Sequence, residues 1–227
     1  MEQTEAFRAQ YRSAEIGPHY NGWLHFAFTS LGCLGVMAFC LWQLDTVSAW
    51  EWLTVPAAFL YANLSEWAGH RGPMHNRRPG LGLVFRRHTG QHHAFFTPDC
   101  MAFDGSRDYK AVLFPPVLLI FFILAFALPA GLLIAWLLTP NTAYLFVFTS
   151  VAYFLNYEWL HFAYHTPENH WASRLPGMRW LRRHHTLHHD HRLMSHANFN
   201  ITYPIADWLF GTLRREAPDD QPRNSQR

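Results

Sequence analysis

The fold class this sequence predicts is all-α and integral membrane: four transmembrane helices under a cytosolic helical cap that carries a histidine-rich di-metal site. Three observations lead there. Four stretches are long and apolar enough to cross a bilayer, every Lys and Arg lies to one side of them, and ten of the sixteen histidines fall in four clusters on that same side. The chain reads as one domain over residues 1–227, with polar tails at 1–21 and 214–227 and no linker.

The elements follow in order. Residues 1–21 are polar and hold no apolar stretch, so no cleaved signal peptide is expected. Trp23 to Trp42 carries one histidine and no charge. Trp52 to Ala68 is apolar apart from Asn63, Ser65 and Glu66. Ala111 to Leu138 is twenty-eight residues without a charge, long enough to tilt or to break near Pro129 and Gly131. Ala143 to Leu160 is apolar except at Thr149, Ser150, Asn156 and Glu158. A hydrocarbon core of about 30 Å needs roughly twenty helical residues, so each stretch is a candidate span.

Charge placement predicts the topology. Arg8 and Arg12 precede the first span, seven Lys and Arg lie between His70 and Lys110, and the other nine follow the fourth span. None occurs at 43–51 or 138–142. A positive-inside pattern puts both termini and the 70–110 loop in the cytosol. All four histidine clusters then share one face and can meet. Cys33, Cys40 and Cys100 form no spaced framework and are expected to be reduced and non-catalytic.

The clusters read His70-Arg-Gly-Pro-Met-His75, His88-Thr-Gly-Gln-His92-His93, His161-Phe-Ala-Tyr-His165 and His185-Thr-Leu-His188-His189. Neutral imidazole is the commonest side-chain ligand of transition metals, and one metal takes about four to six donors. Ten donors therefore suggest two metals. His88/His92, His161/His165 and His185/His189 are four apart, a spacing that puts both rings on one helix face. His70 and His75 are five apart, but Gly72 and Pro73 between them should end the helix and let the rings converge.

Two carboxylates sit one turn ahead of proposed ligands at the cytosolic membrane edge: Glu66 before His70 and Glu158 before His161. A ligating imidazole commonly donates its other N–H to a carboxylate or carbonyl. Both are expected to orient a histidine; direct ligation of metal and a headgroup-facing position are the other readings. No thiolate accompanies the histidines, which argues against iron–sulfur clusters and cysteine-bound zinc. Two redox metals held by neutral nitrogens suit dioxygen activation. The residues alone reach a two-metal membrane oxidoreductase without choosing iron.

Residues 60–213 resemble the fatty acid hydroxylase / sterol desaturase superfamily. Trp180-Leu-Arg-Arg-His184-His185-Thr-Leu-His188-His189 is similar to its last histidine box. Asn198-Phe199-Asn200 and Asp207-Trp-Leu-Phe-Gly-Thr212 resemble its Asn-Phe-Gly…Asp-x-Leu-Phe-Gly-Thr ending. The resemblance implies a non-haem di-iron monooxygenase that uses O2 and two electrons to hydroxylate or desaturate a lipid, such as a fatty acyl chain or a sterol or isoprenoid. It implies His70, His75, His88, His92, His93, His161, His165, His185, His188 and His189 as ligands. Glu66, Glu158, His184, Asn198 and Asp207 are expected around them. Zinc could occupy the same imidazoles in a purified sample. Two positions depart from the family pattern. The second cluster is His-x-x-x-His-His rather than His-x-x-His-His, which bears on His88, and Asn200 stands where glycine is usual. His191 and His196 are unassigned neighbours.

Gly80-Leu-Gly82 lacks the third glycine of a nucleotide loop, and there is no Cys-x-x-Cys-His haem site. Electrons are therefore expected from a separate ferredoxin or cytochrome b5 type donor with its reductase, docked on the basic 70–110 and 174–215 surfaces. No nucleic-acid partner is expected. A carotenoid hydroxylase shares four histidine clusters and remains an alternative. A non-enzymatic metal-binding or transport protein is the more distant one, and would place ionisable groups at mid-membrane.

Overall fold

The computed structural model describes residues 2–216, and these are helical without a named strand. Residues 217–227, most of the tail expected at 214–227, lie outside them. The N-terminal stretch is not a mere polar tail. It forms α1 (Glu2–Ala14), with Glu2 and Glu5 in the first turn and Arg12 in the last, the charge order a helix dipole favours. Arg8 on this helix is only 2% exposed.

The first apolar stretch forms α2 (Gly22–Trp42). Asn21 caps it, its Oδ1 accepting from Leu24 N at 3.1 Å. A Cβ at Gly22 would stand 1.8 Å from Ser106 O, so glycine lets α2 start hard against residues 106–109. The second stretch forms α3 (Thr54–Gly69), which a one-turn π segment, His70–Met74, continues.

The third stretch is α4 (Pro116–Phe122) and α5 (Leu128–Leu137), joined by a π turn at Ile123–Ala127. Of the two alternatives, a tilt or a break near Pro129 and Gly131, the break does not occur. Pro129 has no N–H to give the turn before it, and the helix widens there instead, Leu128 N–H reaching back five residues to Ile123 O. The fourth stretch is α6 (Pro140–Tyr164), capped by Thr139, whose hydroxyl accepts from Thr142 N at 3.2 Å.

α6 is the central helix, packed by α2, α3 and α5. Its Thr149, Ser150, Tyr153, Tyr157 and Glu158 are buried, so the polar residues of this stretch face protein. Gly131 of α5 meets Val147 so closely that a Cβ would stand 2.8 Å from its methyl, the small-residue contact typical of apolar helix pairs. The outer helices expose apolar side chains, among them Leu31, Trp42, Val117, Leu124 and Trp136, the last 80% exposed.

Among the described residues two segments are long and apolar enough to cross a membrane on their own: Gly22–Trp42 and the run within Ser106–Leu137. α3 has sixteen residues, about 24 Å at 1.5 Å per residue, and is short for a span by itself. The two loops without basic residues meet at one end of the bundle. Asp45 N donates to Asn141 Oδ1 at 3.1 Å, and Glu51 accepts from Thr139 and Asn141. The cap is completed by α7 (Met178–His188) and α8 (Ile205–Leu209).

Candidate metal centre

Two backbone irregularities place the first histidines. Gly72, ahead of Pro73, leaves helical geometry (φ −78°, ψ −107°), as a residue before proline is pushed to do. The turn swings His75 back until its ring centroid is 5.0 Å from that of His70. A second π turn at Arg86–His92 carries the next cluster, His93 N–H bonding back five residues to His88 O. Such π turns concentrate at functional sites. The C-terminal end of α6 supplies His161 and, one residue past it, His165. The end of α7 supplies His185, His188 and the following His189.

These side chains form two cages. Ligand nitrogens of His70, His75, His88, His93 and His188 lie within 4.8 Å of one another, and so do those of His92, His165, His185 and His189. His161 adjoins the second cage, its Nε2 3.1 Å from His92 Nε2. His93 and His189 stack at 4.3 Å, so the cages share a wall. His88 and His92, four apart in sequence, divide between the two.

The tautomers are fixed from outside. A carbonyl can only accept, so each Nδ1 that meets one carries the proton. His70 donates to Phe199 O (2.5 Å), His188 to Ala197 O (3.1 Å), His92 to Ala111 O (2.8 Å), His165 to Met101 O (2.7 Å) and His189 to Phe96 O (2.6 Å). Thr89 gives its hydroxyl proton to Met74 O and accepts from His75 Nδ1. The Nε2 atoms of these six rings therefore hold bare lone pairs. His70 Nε2 lies 2.8 Å from His88 Nε2 and His165 Nε2 3.1 Å from His185 Nε2, while those of His75 and His188, both bare, meet at 3.0 Å. Two lone pairs cannot hydrogen-bond to each other, and a cation between them resolves the contact. The donor set fits two metal ions.

Electrostatics agree. Burial pushes His70 and His92 down to about 4, and burial together with neighbouring imidazoles holds His88, His93, His188 and His189 well below the ordinary histidine range. At neutral pH these rings are uncharged, the form that binds metal.

The segment 197–202, whose carbonyls hold His70 and His188, is itself braced. Asp207 Oδ1 accepts from Phe199 N (3.0 Å) and its Oδ2 from Asn200 N (2.7 Å). Asn198, at φ +58°, ties the segment to Arg214 through Oδ1 (2.7 Å) and donates to His184 O. Asn200, where the resemblance expects glycine, donates to Asn63 O and accepts from Asp207 N. His184 stands outside both cages, its Nε2 donating to Asn200 O at 2.9 Å. His191 and His196 are exposed.

The carboxylate–imidazole contacts expected for Glu66 and Glu158 are absent among the described residues. Glu66 accepts from Ile201 N, Thr202 N, the Thr202 and Tyr153 hydroxyls and Asn200 Nδ2, so it reaches the histidines only through the 197–202 backbone. Glu158 accepts from Phe114 N at 3.3 Å and anchors the start of the third apolar stretch.

Sequence reasoning missed Arg8. Its Nε donates to Phe95 O (2.8 Å), and its Nη2 to Cys100 O (2.7 Å) and Ala102 O (3.0 Å). The carbonyls in between, Phe96 and Met101, are those that hold His189 and His165. Arg8 thus sets the loop that orients the second cage. Asn63, Tyr153 and Thr202 were likewise unassigned; the one signal was that Asn63 interrupts an apolar stretch.

An all-helical protein with two adjoining histidine cages at one end of an apolar bundle is a metal-binding protein of the histidine-box type. The fatty acid hydroxylase model matches residues 55–212, and the chain belongs to that family. Membership implies a metal-dependent oxidoreductase that hydroxylates a lipid. The fold is similar to a solved structure described as full-length scs7p with only the hydroxylase domain visible. The TM-score is 0.59 at 22% identity, covering 88% of this chain and 69% of that one. Among curated proteins none matches.

Proposed function

We propose that this protein is a four-span membrane hydroxylase, its two cages holding two iron ions on the cytosolic face and acting on a bilayer lipid with O2 and external electrons. The observation that carries this reading is the convergence of lone pairs whose tautomers outside carbonyls have already set. Iron in both cages would supply oxygen activation. The chain's own contribution is binding, orientation and exclusion of water. The carbonyls of Phe96, Met101, Ala111, Ala197 and Phe199 keep the protons on the outer nitrogens. Phe96 packs 4.0 Å from the His165 ring and Phe199 6.1 Å from that of His70, and these rings keep bulk water off the ligands.

Both strongly apolar segments, together with α3 and α6, support four crossings, and the aromatic and aliphatic outer surface suits acyl chains. The substrate would enter laterally from the bilayer. Arg77 and Arg78, exposed between the first two clusters, are suited to an acidic donor of the ferredoxin or cytochrome b5 type.

Elemental analysis of protein purified in mild detergent, paired with lipid mass spectrometry of cells with and without it under 18O2, tests the reading. Two metals per chain and an 18O-labelled lipid alcohol are expected; one metal, or none, would overturn it. Cysteine labelling at Asn76 and Asn141 tests the sidedness. Access to Asn76 from outside intact cells would reverse the topology.

A further inference from the structure

Both apolar segments that meet the length of a membrane span start at one open cleft of about 500 Å³. α2 enters beside Asn21 and α4 beside Pro115, and both residues line it. From the cleft, Leu24 (69% exposed) and Phe28 (46%) continue down the outer face of α2. Arg87 and Lys110 stand in its wall.

Both cations are anchored by backbone carbonyls and not by acids. Arg87 Nη2 donates to Lys110 O at 3.2 Å, and Lys110 Nζ donates to Glu15 O while lying 5.7 Å over the Tyr20 ring. Neither forms an ion pair among the described residues. Two positive charges are left uncompensated at the entry of two apolar helices. The wall between them is rigid: His25 Nε2–H donates to Phe114 O at 2.9 Å, so its Nδ1 accepts from Tyr20 OH at 2.8 Å.

A site with paired cations at its head and an apolar slope below is the complement of an anionic amphiphile. We propose that this cleft binds the phosphate of an anionic bilayer phospholipid, with one acyl chain laid along Leu24 and Phe28. The proposal rests on the membrane reading above. The bound lipid adjoins both cages: Arg87 precedes His88, and Lys110 precedes Ala111, whose carbonyl holds His92. An occupied cleft therefore also steadies the π turn that carries the second histidine cluster.

The test uses full-length protein in nanodiscs of phosphatidylcholine with and without phosphatidylglycerol. Lipid retention is read by native mass spectrometry after release into detergent, and metal content is measured on the same sample. Wild type is expected to retain phosphatidylglycerol over phosphatidylcholine. A basic side chain near an anionic surface is worth about fivefold in affinity, so Arg87→Gln/Lys110→Gln should lose about 25-fold. His19→Glu, on the exposed rim, adds a repelling charge without touching the fold and should also weaken retention. Arg77→Gln/Arg78→Gln, with the same charge change elsewhere, should retain it.

Equal retention by the cleft variants and the control overturns the proposal. So does loss of the lipid on adding glycerol 1-phosphate, which would make the ligand a free phosphate. A wild-type sample with both metals and no preference for the anionic lipid overturns the lipid site alone. A sample without metals counts against the hydroxylase reading instead.

Discussion

Asp207→Asn is the sharpest probe of how the first cage is held. Asp207 touches no ligand, yet its two oxygens take Phe199 N, Asn200 N and the Thr212 hydroxyl. Asparagine keeps one oxygen. Whichever way its amide turns, the NH2 group faces one of the two backbone N–H donors. One charge-assisted hydrogen bond is lost, about 1.5–3 kcal/mol, and a buried donor is left unpaired, about 1–3 kcal/mol more. The sum is roughly 2.5–6 kcal/mol on a residue that is fully buried. That strain falls on the segment whose carbonyls fix His70 and His188, where loss of an outer partner typically costs about 10–100-fold in metal affinity. The assay is metal release against a graded chelator, alongside the unfolding midpoint of the metal-free protein. Asp207→Asn should release metal at 10–100-fold lower chelator and unfold earlier. Thr212→Ser keeps the hydroxyl that Trp67 and Asp207 share and should match wild type. An Asp207→Asn protein with wild-type release and an unchanged midpoint would refute the bracing argument.

Other outcomes follow from single contacts. Arg8→Gln frees three carbonyls of the loop that holds His165 and His189; chelation should empty the second cage before the first, read as a drop from two metals toward one by elemental analysis. Gly22→Ala must push α2 off Ser106 O and should lower the unfolding temperature by several degrees, whereas Gly35→Ala, with open space around it, should not. The metal-free protein should lose stability as pH falls from about 6.5 toward 4. The unfolded chain binds protons on its histidines in that window while His70 and His92, held at about 4, do not, so stability is complete above 6.5 and lost below it. His188→Ala and His189→Ala should each cost one cage its metal, a difference that cobalt substitution would resolve by absorption spectra.

Much of the cage was legible because helical spacing and histidine chemistry are local. His161/His165 and His185/His189 lie one turn apart, and the Gly72-Pro73 turn that brings His75 to His70 was readable from two residues. The division of His88 and His92 between cages was not. It depends on a π turn, and a helix of ordinary pitch puts those two rings on one face. Glu66 misled because nearness in sequence is not direction: its oxygens reach Ile201 and Thr202, more than 130 residues on. Arg8 could not be read at all, since its partners are main-chain carbonyls that any sequence would offer. Asn200 was visible as a departure from pattern, but its reason, a side chain bridging Asn63 and Asp207, exists only in three dimensions.

The outer partners of six imidazoles are neutral: five peptide carbonyls and the Thr89 hydroxyl. Di-iron sites in four-helix bundles of the ferritin type draw Glu side chains from all four helices, and those carboxylates offset most of the charge of their ions. Here the ligand atoms offer none. Ions seated in these cages would keep nearly their full charge inside a low-dielectric wall, and removing an electron from either would be opposed by that field. Such a centre would take electrons readily from a modest donor and hold them. On the proposed di-iron reading, such a centre would be a strong oxidant once oxidised, which suits attack on an unactivated C–H bond. It would also draw small anions inward, so inhibition by azide or cyanide should be tighter than at carboxylate-rich centres.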